Sequence, residues 1–117
     1  MSQTSGQPSV QIERTASAII ARVRAKLLDE QELSLLSRMI EEAMNDQSLQ
    51  VIALDLQGVQ LLPSLSLGKL VEFTNTCKAH QKRLKLAGVS PSLQRVLTLT
   101  RLDRILELSE SIEAAIQ

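Results

Sequence analysis

The stretch Val51-Ile-Ala-Leu-Asp-Leu-Gln-Gly-Val-Gln-Leu-Leu-Pro-Ser-Leu-Ser-Leu-Gly-Lys-Leu70 decides how this chain is read, because it joins an apolar run of strand length to a helix through a loop that carries serines. Val51 to Leu56 is apolar except at Asp55, the pattern of a strand covered on both faces, and so of a central strand. Gly58 and Pro63 break the run, and helical periodicity begins at Leu67. Ser64 and Ser66 stand at that helix entrance, where a hydroxyl can cap the helix, accept a hydrogen bond or carry a phosphate.

Downstream, Leu67, Leu70, Phe73, Thr74 and Cys77 form the inward stripe of this helix, with Lys69, Glu72, Asn75 and Thr76 turned away and an end near His80. Gly68 lies inside the helix, where a glycine usually permits close packing against a neighbouring element. Arg83 to Ala87 reads as a short strand closed by Gly88. Ser90-Pro91 supplies a capping hydroxyl and a proline at the first helical position, after which Leu93, Val96 and Leu97 face inward. Ile105, Leu106 and Leu108 predict a last strand, and Ser109 a cap for a final helix carrying Ile112, Ala115 and Ile116.

Upstream, Val10 and Ile12 alternate with Gln11 and Glu13. Ile19, Ala21, Val23 and Ala25 alternate with Ile20, Arg22, Arg24 and Lys26. Both runs have the period of half-buried strands, and Thr15-Ala16-Ser17 is short enough to join them as a hairpin. Asp29 and Glu32 have capping-box spacing, and Leu36, Met39, Ile40, Ala43 and Met44 predict a helix over about 30–45. The order ββαβαβαβα requires parallel pairing of the later strands beside an antiparallel opening pair, an α/β domain with a mixed sheet packed with helices. Residues 1–8 have no periodicity and read as a flexible N-terminal tail, with the domain over 9–117.

At 117 residues the chain suits one domain able to bury roughly two-thirds of its unfolded surface. Thirteen basic and thirteen acidic residues leave no cationic excess, which argues against direct nucleic-acid binding. With no Trp, no Tyr and Phe73 as the one aromatic ring, a stacked cofactor has little to rest on. A sole cysteine fits a reducing compartment, and the absence of a bilayer-length apolar run excludes direct membrane insertion by a helix; the expected location is cytoplasmic.

Several short blocks carry a resemblance at the level of the whole chain. Ala53-Leu-Asp-Leu-Gln-Gly-Val59, Pro63-Ser-Leu-Ser-Leu-Gly68, Val89-Ser-Pro-Ser-Leu-Gln-Arg-Val-Leu97 and Thr100-Arg-Leu-Asp-Arg-Ile105, in this order and spacing, resemble the STAS family, the domain of bacterial anti-sigma-factor antagonists. The similarity covers about residues 9–117 and implies a protein-interaction role in bacterial regulation without catalysis. In that family a strand-ending Asp-Leu-Gly-like segment is followed by Asp-Ser-Ser-Gly-Leu-Gly, whose first serine is the usual phosphorylation site. Matching the loop places that serine at Ser64, with Leu67 and Gly68 keeping the final Leu-Gly.

Three positions depart: Pro63 stands for the acid, Leu65 for the second serine and Ser66 for the first glycine. They remove a charge and a backbone donor and add apolar surface suited to a different contact. The resemblance implies partner-binding residues at Ser64, Leu65, Ser66, Lys69, Ser90 and Arg95. The partner it implies is an anti-sigma factor or a related serine kinase, with phosphorylation of Ser64 weakening the complex. Two alternatives stay open: a cytoplasmic accessory subunit of a membrane transporter, and a stressosome-like scaffold in which such domains assemble.

Other chemistry is weakly signalled. Cys77 and His80 are three apart on a helix, but two ligand types without a further pair do not make a zinc site, and no orienting group marks a Cys/His nucleophile. Asp55, at a strand end, is expected to accept loop hydrogen bonds. No phosphate-loop glycine pattern occurs, so neither a cofactor nor enzyme activity is expected. Arg22, Arg24 and Lys26 are read as a solvated face balanced by acids such as Glu13, and Leu33, Leu36, Met39 and Ile40 as the domain's own core.

Overall fold

The structure, a computed structural model, describes residues 9–117; the expected tail over 1–8 lies outside the described residues. The chain forms β1 (Val10–Arg14), β2 (Ala18–Val23), α1 (Glu30–Met44), β3 (Val51–Asp55), α2 (Ser64–Ala79), β4 (Arg83–Ala87), α3 (Pro91–Leu99), β5 (Glu107–Ser109) and α4 (Ile112–Ala115). The five strands make one sheet in the order β1-β2-β3-β4-β5, with β1 antiparallel to β2 and every later pair parallel. The predicted order ββαβαβαβα and the mixed sheet are therefore those of the molecule.

Packing follows from the pleat. Ile19, Ala21 and Val23 of β2, Ile52 and Leu54 of β3 and Leu84 and Leu86 of β4 project to one face, where Leu36, Met39 and Ile40 of α1, Leu70, Phe73 and Cys77 of α2 and Leu93 and Leu97 of α3 close the main core. On the opposite face Ile20, Ala53 and Ala87 form a smaller cluster under Ile112 and Ala115 of α4. β3 is central and covered on both sides, as its apolar run requires.

Local signals set the helix ends. The Asp29 side chain accepts from the Glu30 backbone N–H at 2.8 Å while Glu32 accepts from the Asp29 N–H at 3.1 Å, which completes the capping box of α1. Ser90 Oγ accepts from the Leu93 N–H at 3.3 Å and Pro91 opens α3.

The differences from the sequence reading have nonlocal causes. β2 does not alternate: Ile20 is buried because the distant α4 covers the second face, and Arg24 and Lys26 lie beyond the strand. Within β1, Val10 is buried but Ile12 is half exposed, because β1 is an edge strand. Val96 is exposed on the outer side of α3 instead of facing inward. A 3-10 turn over Leu102–Arg104 delays the last strand to Glu107 and leaves Ile105 exposed. Ser109 is then inside β5, and the cap of α4 is Ser111, whose hydroxyl accepts from the Ala114 N–H at 3.1 Å.

Candidate functional site

The segment after β3 is built as a zipped loop. Asp55 Oδ1 accepts from the Gln57 N–H at 3.0 Å, the expected loop hydrogen bond, and Oδ2 pairs with Arg22 at 2.9 Å. The N–H groups of Gln60 and Leu61 both donate to the Lys26 carbonyl, at 2.7 and 3.0 Å, and the Leu28 N–H donates to the Leu61 carbonyl at 3.2 Å. The β3–α2 loop is thereby laced to the segment that runs into the cap of α1.

The helix begins at Ser64, three residues before the expected Leu67. Pro63, with φ −59° and ψ 157°, is the residue before the first turn, and its carbonyl accepts the first helical bond from the Leu67 N–H at 3.1 Å. A proline ring has no capping oxygen, so no side chain caps α2 and its first turn holds no acid. Neither serine caps the helix; they do different things. Ser64 is exposed at the first helical position, and its hydroxyl has no hydrogen-bond partner among the described residues. Ser66, expected on the contact surface, is instead buried, and its hydroxyl donates to the Leu28 carbonyl at 2.5 Å. It ties α2 to the laced loop and presents nothing to a partner.

Around Ser64 the surface is apolar. Leu61 is 61% exposed, Leu65 59% exposed, and Leu27, bridged to Leu61 across the laced segments, is also exposed. Leu65 and Lys69, four residues apart and so on one helical face, line a groove of about 610 Å³ between α1 and α2 with Leu33, Arg38 and Glu41. Lys69 also forms a 3.7 Å pair with Glu72. Gly68 is exposed, and a Cβ built there meets nothing within 4 Å, so the expected close packing within the domain is absent.

Ser90 ends the neighbouring β4–α3 connection, and Arg95 lies within α3. The two connections touch at Gly88, where φ is +70° and a Cβ would lie 3.2 Å from the Gln57 Cβ, so a residue without a side chain is required. The Ser90 hydroxyl is committed to its cap, and Arg95 is exposed with no ion pair among the described residues. Sequence reasoning missed Leu27 and Leu61 as a joint surface, because they are brought together by a bridge 34 positions apart in the chain (27 against 61) that no local period reveals.

Cys77 is buried in the core, and that burial pushes its thiol up to about 11 against a smaller opposing pull from Lys82. His80 is exposed with Nδ1 2.9 Å from the Thr76 carbonyl, and no metal-binding cluster occurs among the described residues. Arg22 is neutralised by Glu13 at 2.6 Å and by Asp55, whereas Arg24 donates to the uncharged Gln11 amide at 3.0 Å and neither Arg24 nor Lys26 has an ion pair among the described residues, so the expected balance by acids holds for Arg22 alone. No helix among the described residues is long and apolar enough to cross a membrane.

Comparison with known proteins agrees with this architecture. The STAS domain family model matches residues 9–115. Among solved structures, a STAS domain anti-sigma-factor antagonist from Planctomyces limnophilus is 22% identical, with TM-score 0.76, over 95% of this chain and 97% of that one. An anti-sigma factor antagonist from Mycobacterium paratuberculosis is 20% identical, with TM-score 0.73, over 92% of this chain and 89% of that one. The phosphorylated form of the Bacillus cell fate determinant SpoIIAA is 19% identical, with TM-score 0.67, over 90% of this chain and 95% of that one. At these identities the solved structures establish the fold, and the family match spans nearly the whole chain: the protein belongs to the STAS domain family.

Proposed function

We propose that this domain is a regulatory binding module whose β3–α2 surface docks a protein partner and whose Ser64 hydroxyl, when phosphorylated, breaks that complex. The observation that carries the reading is the separation of roles between the two serines: Ser66 is spent inside the fold, while Ser64 is exposed, unpaired among the described residues and close in the chain to the exposed Leu61 and Leu65. The anti-sigma-factor antagonists that share the fold, one of them solved in a phosphorylated form, support an anti-sigma factor or a related serine kinase as the partner class.

A phosphate on Ser64 would add about −1.5 to −2 charges and three acceptor oxygens at a helix N-terminus whose first N–H groups have no side-chain cap. The domain itself tolerates that charge. A partner seated on Leu61 and Leu65 does not, because it must desolvate the phosphate beside apolar surface. Calorimetric binding of the partner purified from the native host tests this: wild type and Ser64→Ala bind alike and Ser64→Asp binds at least about tenfold more weakly. Equal affinities for all three overturn the switch.

A second reading is supported by the apolar patch of Leu27, Leu61 and Leu65, which suits a constitutive contact with a transporter subunit or a stressosome-like scaffold. Under that reading Leu61→Ser abolishes copurification with the assembly and Ser64→Asp leaves it intact.

A further inference from the structure

The sheet has one long edge that nothing among the described residues covers. β1 pairs with β2 in an unbroken register from Val10 opposite Val23 to Arg14 opposite Ile19. Hydrogen bonds from the Arg24 N–H to the Ser9 carbonyl at 2.7 Å and from the Thr15 N–H to the Ala18 carbonyl at 2.8 Å fix the phase of this ladder. In an antiparallel pair, bonded and non-bonded positions alternate, so Gln11 and Glu13 turn their backbone groups toward β2. The N–H and C=O groups of Val10, Ile12 and Arg14 therefore point out of the sheet.

Open edges are normally blunted by a proline, a bulge, a lysine or an inward-pointing charge. β1 has no proline, no lysine and no interruption of register. Its carboxylate Glu13 lies on the other face, paired with Arg22, and Arg14 is held to Asp46 at 2.6 Å. The residue at the middle of the edge is Ile12, 51% exposed beside a groove of about 280 Å³ lined with Leu35 and Met39.

We propose that this edge binds a second copy of the chain, the two β1 strands pairing antiparallel about a two-fold axis through Ile12. The sequence of β1 is complementary to itself in that register. Ile12 meets Ile12 of the other copy, Val10 meets Arg14, and Gln11 meets Glu13 on the opposite face, so no like charges stand opposite one another. All three outward-facing residues become hydrogen-bonded positions, which every other in-phase register forfeits in part. Arg38 and Glu42, which line the groove beside this edge without ion-pair partners among the described residues, give each copy one cation and one carboxylate there, the opposite charges a two-fold pairing can match. Arg38 also lines the groove beside Leu65, but the paired edge Val10–Arg14 shares no residue with the Ser64 surface, so the inference stands apart from the proposed switch.

Sedimentation equilibrium of the full chain over micromolar to millimolar concentrations reads the association. Wild type shifts with concentration toward the mass of two chains. Ile12→Pro deletes an N–H that points out of the sheet and none that bonds to β2; it keeps a cooperative melting transition and associates at least about tenfold more weakly, since both bonds of the central pair are lost. Should the proline variant fail to fold, Ile12→Lys, which sets two ammonium groups face to face, decides by the same measure. Oxidation of Ile12→Cys gives a covalent dimer, because opposed residues of such a pair lie about 5.5 Å apart at Cα, whereas Glu13→Cys does not. A wild type that stays monomeric at about 1 mM, association undiminished in the Ile12→Lys variant, or equal crosslinking of the two cysteine variants overturns the proposal.

Discussion

Replacing Ser66 by alanine removes one oxygen from a fully enclosed position and separates the roles of the two serines. The hydroxyl donates to the Leu28 carbonyl at 2.5 Å, and both groups are inside the domain. Loss of a hydrogen bond of this kind costs about 0.5–1.5 kcal/mol, and a buried acceptor left without its donor adds to that, for a total of about 1.5–3 kcal/mol. At this chain length the loss lowers the melting temperature by about 5–12 °C. Ser64→Ala deletes an exposed hydroxyl without a partner among the described residues and stays within about 0.5 kcal/mol of wild type. Urea and thermal unfolding followed by circular dichroism measure both. A Ser66→Ala variant as stable as wild type, or a Ser64→Ala variant equally damaged, refutes the division of labour between buried tether and free hydroxyl.

The two glycines of the site respond in opposite directions. Gly68→Ala stabilises by about 0.5–1 kcal/mol, because the added methyl meets open space in a helix interior, and unfolding in urea reads the gain. Gly88→Ala destabilises by about 1–3 kcal/mol, because it forces a side chain into the left-handed region and against Gln57. Native Cys77 does not react with a thiol reagent at neutral pH and is labelled at the rate of global unfolding, since burial both hides it and raises its pKa to about 11; rapid labelling of the folded protein contradicts this. Asp46 is held below its ordinary pKa of 3.8 by bonds from Ser48 and Arg14. A depressed folded-state pKa gives stability that is present above the unfolded value and lost as pH falls through it toward the folded one. Asp46→Asn accordingly flattens the pH dependence of unfolding below about pH 4, and a slope equal to wild type shows that the carboxylate contributes nothing there.

Elements whose determinants are local were legible in the sequence. The Asp29/Glu32 capping box, the Ser90-Pro91 entrance and the apolar run of β3 each announce an element from within a few residues, and each is where its pattern places it. What escaped depends on distant parts of the chain. Ile20 is buried because α4, more than ninety positions later, lies over it, so β2 loses its period. The start of α2 was masked because Pro63 leaves the first turn without a capping side chain, and a helix without that signal looks like loop until its apolar stripe begins. At the site, the two serines are equivalent by spacing. Only the lacing of residues 26–28 to 60–61 brings the Leu28 carbonyl under Ser66 and leaves Ser64 outside.

Under the proposed switch, charge placed on Ser64 acts on a partner and not on the fold. Stoichiometric phosphorylation of Ser64 by the host serine kinase, confirmed by phosphopeptide mass spectrometry, allows binding and melting temperature to be measured on one sample. Partner affinity is expected to fall at least about tenfold with the melting temperature within about 2 °C of the unmodified protein. Undiminished affinity of the phosphorylated protein, or a loss that comes with collapse of the melting transition, contradicts the switch.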